Sequence, residues 1–117
     1  MDIEQLRIFC LGKKATTESL PFGPDTLVFK VADKVFALCS INDYQFINLK
    51  CDPEKALELR EEHPQYITPA YHMNKKHWNS VSIQMPTQTI IQLINHSYDL
   101  VVKSLPKHKQ LALENEV

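Results

Sequence analysis

A chain of 117 residues with 44% hydrophobic content has the size of one compact domain, and enough apolar mass to bury a core without disulfide or metal staples. Its formal charge of −1 and isoelectric point near 6.5 exclude a global pull toward nucleic acid or an anionic membrane, so any anion binding has to be local. Cys10, Cys39 and Cys51 are odd in number and set among apolar residues, which fits buried thiols in a reducing compartment rather than a disulfide framework.

In chain order, Asp2 can cap a first helix whose stripe is Ile3, Leu6 and Cys10. Gly12 ends it, because glycine tolerates the left-handed C-terminal position. The acidic start Met1-Asp2-Ile3-Glu4 lacks the basic, then apolar, pattern of a secretory signal, and no apolar run is long enough to span a bilayer. A cytoplasmic location is the expectation. Thr16 to Thr26, with Pro21, Gly23 and Pro24, is expected to be loop. Leu27 to Val31 and Val35 to Ile41, around an Asp33-Lys34 corner, predict a hairpin. After a turn at Asn42-Asp43-Tyr44, Phe46 to Cys51 predicts a third strand. Asp52-Pro53-Glu54 is a strong helix start, since the Asp side chain accepts from free amides and Pro53 needs no donor there. That helix runs to about His63 on an inner stripe of Ala56, Leu59 and His63. Tyr66 to Tyr71 is a possible short strand. Val81, Ile83 and Met85 alternate with Ser80, Ser82 and Gln84, predicting a half-buried strand with an accessible polar face. Pro86-Thr87 opens a long helix carrying Ile90, Ile94, Ser97/Tyr98, Val101 and Leu105 inward until Pro106, and Lys107 to Leu113 can add a terminal helix. The order α-β-β-β-α-(β)-β-α implies a mainly antiparallel sheet with helices packed on it.

The chemistry is concentrated at Tyr71-His72-Met73-Asn74-Lys75-Lys76-His77-Trp78. Between Glu62 and Asp99 the only charged side chains are Lys75 and Lys76, joined there by two imidazoles and the only tryptophan. Cations and neutral donors of this kind suit a phosphate backbone, with Trp78 available to stack on a base, although two lysines neutralise few phosphates. The competing reading is structural: Trp78 packs inward, the histidines satisfy backbone groups and the lysines are ordinary surface charge. No metal site is expected, because His72 and His77 lie five apart without a nearby Cys, Asp or Glu and no C-x-x-C is present. Two glycines cannot form a glycine-rich phosphate loop, and no cofactor motif or catalytic constellation is visible. The Tyr98 phenol is expected to bond a backbone carbonyl at the core edge.

Cys51-Asp52-Pro53, the run Pro69-Ala70-Tyr71-His72-Met73-Asn74-Lys75-Lys76-His77-Trp78 and Ser97-Tyr98 together resemble the MmcQ/YjbR family of small bacterial proteins, over nearly the whole chain. The resemblance implies one α+β domain spanning 1–117. Its fold would be a two-layer α/β sandwich, α-β(3)-α-β(2)-α with an antiparallel sheet, similar to type III secretion chaperones. It favours a strand at Tyr66 to Tyr71. It also brings the label of a DNA-binding protein with a "double wing" arrangement, and it places Asn74, Lys75, His77 and Trp78 on the family motif.

Three functions follow as expectations. The first is a cytoplasmic, monomeric, non-enzymatic domain that binds DNA through His72, Asn74, Lys75, Lys76, His77 and Trp78. The second is a protein-interaction or chaperone-like module, which an exposed apolar patch would favour. The third is a small-ligand site near His72 and His77, which requires a concave pocket.

Overall fold

The computed structural model describes residues 1–115. The elements are α1 (Ile3–Leu11), β1 (Thr16–Ser19), β2 (Thr26–Val31), β3 (Lys34–Ser40), β4 (Phe46–Lys50), α2 (Pro53–Glu62), β5 (Ile67–Pro69), β6 (Trp78–Ser82), α3 (Thr87–Ser104) and α4 (Lys107–Glu114). The six strands form one antiparallel sheet in the order β1-β2-β3-β4-β6-β5, an α+β fold. α1, α2 and α3 all lie on one face. Among the described residues the opposite face carries no helix, and that asymmetry positions the site. No helix among the described residues is long and apolar enough to cross a membrane.

Local chemistry explains most boundaries. Asp2 and Gln5 form a reciprocal capping box on α1, each side chain accepting from the other's backbone N–H at 2.8 and 2.9 Å. Asp52 caps α2 by accepting from the Lys55 N–H, with Pro53 at the first helical position. The β2–β3 hairpin turns on Ala32 and Asp33, both with positive φ, one residue earlier than the expected corner. A two-residue hairpin needs this backbone hand to match the strand twist. Gly12 ends α1 in right-handed geometry (φ −73°), not in the expected left-handed one, and Ala15 is the residue of the following turn with positive φ.

Three further expectations need correction. The stretch expected as loop from Thr16 contains β1, which pairs along β2 from Thr16↔Val31 to Ser19↔Val28. β1 was hidden because its four residues are all polar. Its anchor is electrostatic: Glu18 accepts from Arg7 of α1 at 2.5 and 2.9 Å, and these bonds hold the Glu18 carboxyl below its ordinary pKa. The strand expected around Val81, Ile83 and Met85 is instead Trp78–Ser82, because the Ser82 side chain accepts from the Gln84 N–H and its carbonyl accepts from the Met85 N–H, turning the chain early. Its polar face is correspondingly less accessible than expected, with Ser82 buried and Ser80 half-buried against Asn48. The short strand at Tyr66 to Tyr71 is β5, and the terminal helix is α4.

The core between sheet and helices is built from Leu27, Phe29, Val31, Phe36, Ala37, Ile47, Leu49 and Val81 on the sheet side, with Leu6, Ile90, Ile94 and Val101 opposite. All three cysteines are buried. Desolvation pushes Cys10 up to about 12, and Cys39 and Cys51 up to about 11, so each is a neutral thiol.

One polar residue sits at the centre of this interface. The β2–β3 register shifts between Phe29 and Lys30, a bulge that lets both Phe36 and Ala37 face the helices. Beyond Ala37↔Leu49 the β3–β4 ladder stops, and the fully buried Ser97 of α3 fills the gap. Its hydroxyl donates to the Phe36 carbonyl at 2.6 Å and accepts from the Lys50 N–H at 2.9 Å. The next residue, Tyr98, packs edge-on against Phe36 and donates to the Lys14 carbonyl at 2.7 Å, as expected from sequence. Ser97→Ala leaves two buried backbone groups without partners. It should lower the unfolding free energy by at least about 1 kcal/mol, toward about 3 kcal/mol if no water replaces the hydroxyl, as read from a denaturant melt.

One residue before Ser97 on α3, His96 Nε2 accepts from the Asp52 N–H at 3.2 Å. Burial and the nearby Lys55 cation depress its pKa below the ordinary 6.5, against the opposing pull of Asp52 and Asp99. A depressed histidine is neutral in the folded state and gains its proton more readily when unfolded. Its contribution is therefore full above pH 6.5 and is lost as pH falls through the folded value. The melting temperature should fall between pH 7.5 and 5.5. His96→Gln, which keeps an acceptor but cannot titrate, should flatten that slope.

Candidate functional site

The cluster lies on the loop of residues 70–77 that joins β5 to β6. Its backbone is bonded at both ends and at the turn between them. The Met73 N–H donates to the Ala70 carbonyl at 3.0 Å, the Lys76 N–H to Asn74 Oδ1 at 3.0 Å and the His77 N–H to the Asn74 carbonyl at 3.0 Å. Asn74 therefore shapes the turn with both of its oxygens. His77 serves through its backbone as well, its carbonyl accepting from the Cys51 N–H at 2.7 Å, so the loop is stitched to the start of the Cys51-Asp52-Pro53 segment. Trp78 opens β6 opposite Lys50, half-buried, and its carbonyl accepts from the Ala70 N–H at 3.1 Å. The register places Trp78 on the helix-free face with Lys50, Asn48 and Ser80, so the inward packing expected for it is only partial.

The residue that fastens the loop was not anticipated from sequence. Arg60 of α2 donates through Nε to Asn79 Oδ1 at 2.7 Å and through Nη2 to the carbonyls of Lys75 and, at 3.3 Å, Trp78. Asn79 is buried and donates its own amide to the Ala56 carbonyl at 3.4 Å. The signal was available: Arg60 lies four residues beyond Ala56, on the inner side of a mostly acidic helix, and Asn79 lies two before Val81 on the inner strand face. An arginine on an inward stripe needs acceptors, and a planar fork can serve three at once.

The side chains of His72, Asn74, Lys75 and Lys76 are exposed. The Lys75 ammonium lies 5.1 Å from the centre of the Tyr71 ring, a cation–π contact that directs it without neutralising it. Among the described residues neither Lys75 nor Lys76 is in an ion pair. The two histidines diverge in use. His72 and Met73 line a concave groove on the helix-free face together with Phe22, Thr26, Leu38, Ser40 and Asn48, whereas His77 is not part of that lining. Among the described residues no group of three or more His, Cys, Asp or Glu is arranged to hold a metal ion.

Removing the Arg60 fork leaves Asn79 Oδ1 and the Lys75 carbonyl without their donor and the Trp78 carbonyl with the Ala70 N–H alone. Arg60→Ala should destabilise the domain by about 1–3 kcal/mol and speed amide exchange in residues 70–77. Arg60→Lys should recover little, because a point charge cannot bridge three acceptors. Melting curves and hydrogen exchange on the two variants measure both effects.

Comparison with known proteins agrees with this architecture. The uncharacterized protein YbdF of Escherichia coli O157:H7 is 46% identical over 93 residues, covering 77% of this chain and 75% of its own. The uncharacterized protein YjbR of Escherichia coli K12 is 31% identical over 116 residues, covering 97% and 98%. The crystal structure of a Deinococcus radiodurans protein with a DUF419 domain superposes with a TM-score of 0.90 at 38% identity, over 96% of this chain and 87% of that one. A Pseudomonas syringae crystal structure gives 0.71 at 32% identity, over 86% and 98%. The YjbR family model matches residues 11–100, which include β1 through most of α3 and the whole 70–77 loop, and the chain belongs to the YjbR family.

Proposed function

We propose that this domain is a non-enzymatic, monomeric nucleic-acid-binding module that grips the phosphate backbone with the 70–77 loop. The observation that carries the reading is the division of labour within that loop. Its backbone is tied down by Arg60, Asn74 and the Cys51 N–H, while Lys75 and Lys76 stand exposed outside any ion pair among the described residues. A loop already ordered loses little conformational freedom when it meets a phosphate, so even two cations can contribute to binding. Lys50, on the same face beside Trp78, adds a third positive charge within the reach of an extended strand. The loop at residues 20–25 and the loop at 70–77 both border the groove on the helix-free face, and we read them as the two arms of the double-wing expectation.

A second reading is favoured by a different observation. Phe22 and Tyr71 are 70% and 68% exposed on these two loops, and Phe46 is exposed on the same face. Such an apolar surface also suits a protein partner, as in a chaperone-like module. Salt separates the two, because phosphate contacts weaken with ionic strength and apolar contacts do not.

Titration of a labelled DNA duplex at several salt concentrations tests the first reading. With Lys75 and Lys76 as main contacts, the log–log slope should be about −2. Lys75→Ala combined with Lys76→Ala should largely abolish binding and its salt dependence while leaving the melting curve unchanged. Equal binding by wild type and the double variant would remove the loop from the interface.

A further inference from the structure

The groove on the helix-free face has a volume of about 490 Å³. Its floor is Thr26, Leu38 and Asn48, contributed by β2, β3 and β4 in turn. Phe22 forms one wall and His72 with Met73 the other, so it spans two strand spacings, roughly 10 Å. An aromatic ring, a thioether and the aliphatic Leu38 in the floor make a slot suited to a flat ring.

Its polar groups are few and unequal. Ser40 is committed, donating to Asp25 at 2.8 Å and accepting from the Asp43 N–H at 3.1 Å. Asn48 accepts from Ser80 Oγ at 2.6 Å, which leaves its NH2 donating to no protein atom among the described residues. The groove is also polarised. The Asp25 carboxylate stands behind Ser40 and is held charged, its pKa lowered by hydrogen bonds from the Asn42 N–H and the Ser40 hydroxyl. At the opposite wall, His72 lies three and four residues from Lys75 and Lys76. A ligand with an anionic end must place that end toward the loop and its neutral end over Leu38.

We propose that this groove receives one unstacked nucleobase of a single-stranded nucleic acid, lying on Leu38 between Phe22 and Met73, with Asn48 donating to a base carbonyl or ring nitrogen and the flanking phosphates on Lys75 and Lys76. The inference rests on the phosphate-binding reading of the loop and narrows it to a substrate class. A duplex keeps its bases stacked and paired, so it can offer the loop its phosphates but leaves the groove empty.

Fluorescence anisotropy at low salt tests this with a labelled oligothymidine, an abasic strand of equal length and charge, and a duplex. The proteins are wild type, Phe22→Ala, and the Lys75→Ala, Lys76→Ala double variant. Phe22 is 70% exposed, so its truncation should leave the melting curve in place. Wild type should prefer the oligothymidine over both the duplex and the abasic strand. Phe22→Ala should weaken oligothymidine binding roughly 5- to 150-fold, the range expected for one stacked base, without changing duplex or abasic affinity. The double lysine variant should weaken all three. If Phe22→Ala has no effect, or the abasic strand binds as well as the oligothymidine, while the lysines still matter, the groove inference falls and the loop reading stands. If no nucleic acid binds at low salt, both fall.

Discussion

The Ser97 hydroxyl is the constraint on which the rest of the architecture hangs. A bulge at Phe36 turns an extra aromatic side chain toward the helices, and it also ends the β3–β4 ladder with a carbonyl and an N–H facing each other across a gap. Only a small side chain with both a donor and an acceptor can enter that gap and satisfy both groups. Because the side chain belongs to α3, closing the gap also fixes the longest helix along its length and in its rotation over the sheet. The flanking residues use that fixed position: His96 meets the Asp52 N–H, and Tyr98 reaches the Lys14 carbonyl.

From there the order propagates toward the candidate site by contiguous bonds. Lys50 ends β4 at the Ser97 hydroxyl, and the following Cys51 N–H turns outward to the His77 carbonyl. Asp52 then starts α2, which is just long enough to present Arg60 to the loop carbonyls two turns later. The three sequence motifs that stand out, Cys51-Asp52-Pro53, the histidine-lysine cluster and Ser97-Tyr98, are thus successive stations of one hydrogen-bonded path. Much of the cluster's chemistry is spent on shape: Asn74 and His77 act mainly through backbone-directed bonds, while His72, Lys75 and Lys76 are left to face outward.

This division explains what the sequence made legible. Caps and breakers such as Asp2, Asp52, Pro53 and Pro106 act locally, so the helices could be read from neighbouring residues alone. The alternating strands β2, β3 and β4 were visible for the same reason. β1 was not, since Thr16, Thr17, Glu18 and Ser19 carry no apolar alternation and are held through a salt bridge from a helix eleven residues away. The end of β6 is masked in the sequence because Ile83 and Met85 continue an alternating pattern through what is physically a serine-bonded turn. At the site, the loop residues could be named but not the groove. Phe22, Leu38 and Asn48 are scattered along the chain and meet His72 and Met73 only through the strand order, a non-local fact that no spacing encodes.

The strand order also determines from which direction another molecule can approach. An open sheet normally offers its two rims as templates for strand addition. Here one rim is the four-residue β1, bearing a charged Glu18 clamped to Arg7. The other is the three-residue β5, which ends at Pro69 and so lacks a donor where a further strand would need one. Both rims are blunted, and the helices occupy one face. A molecule adding to this sheet would find little main-chain template at either rim, and the helix-free face between the two loops would have to meet it through side chains.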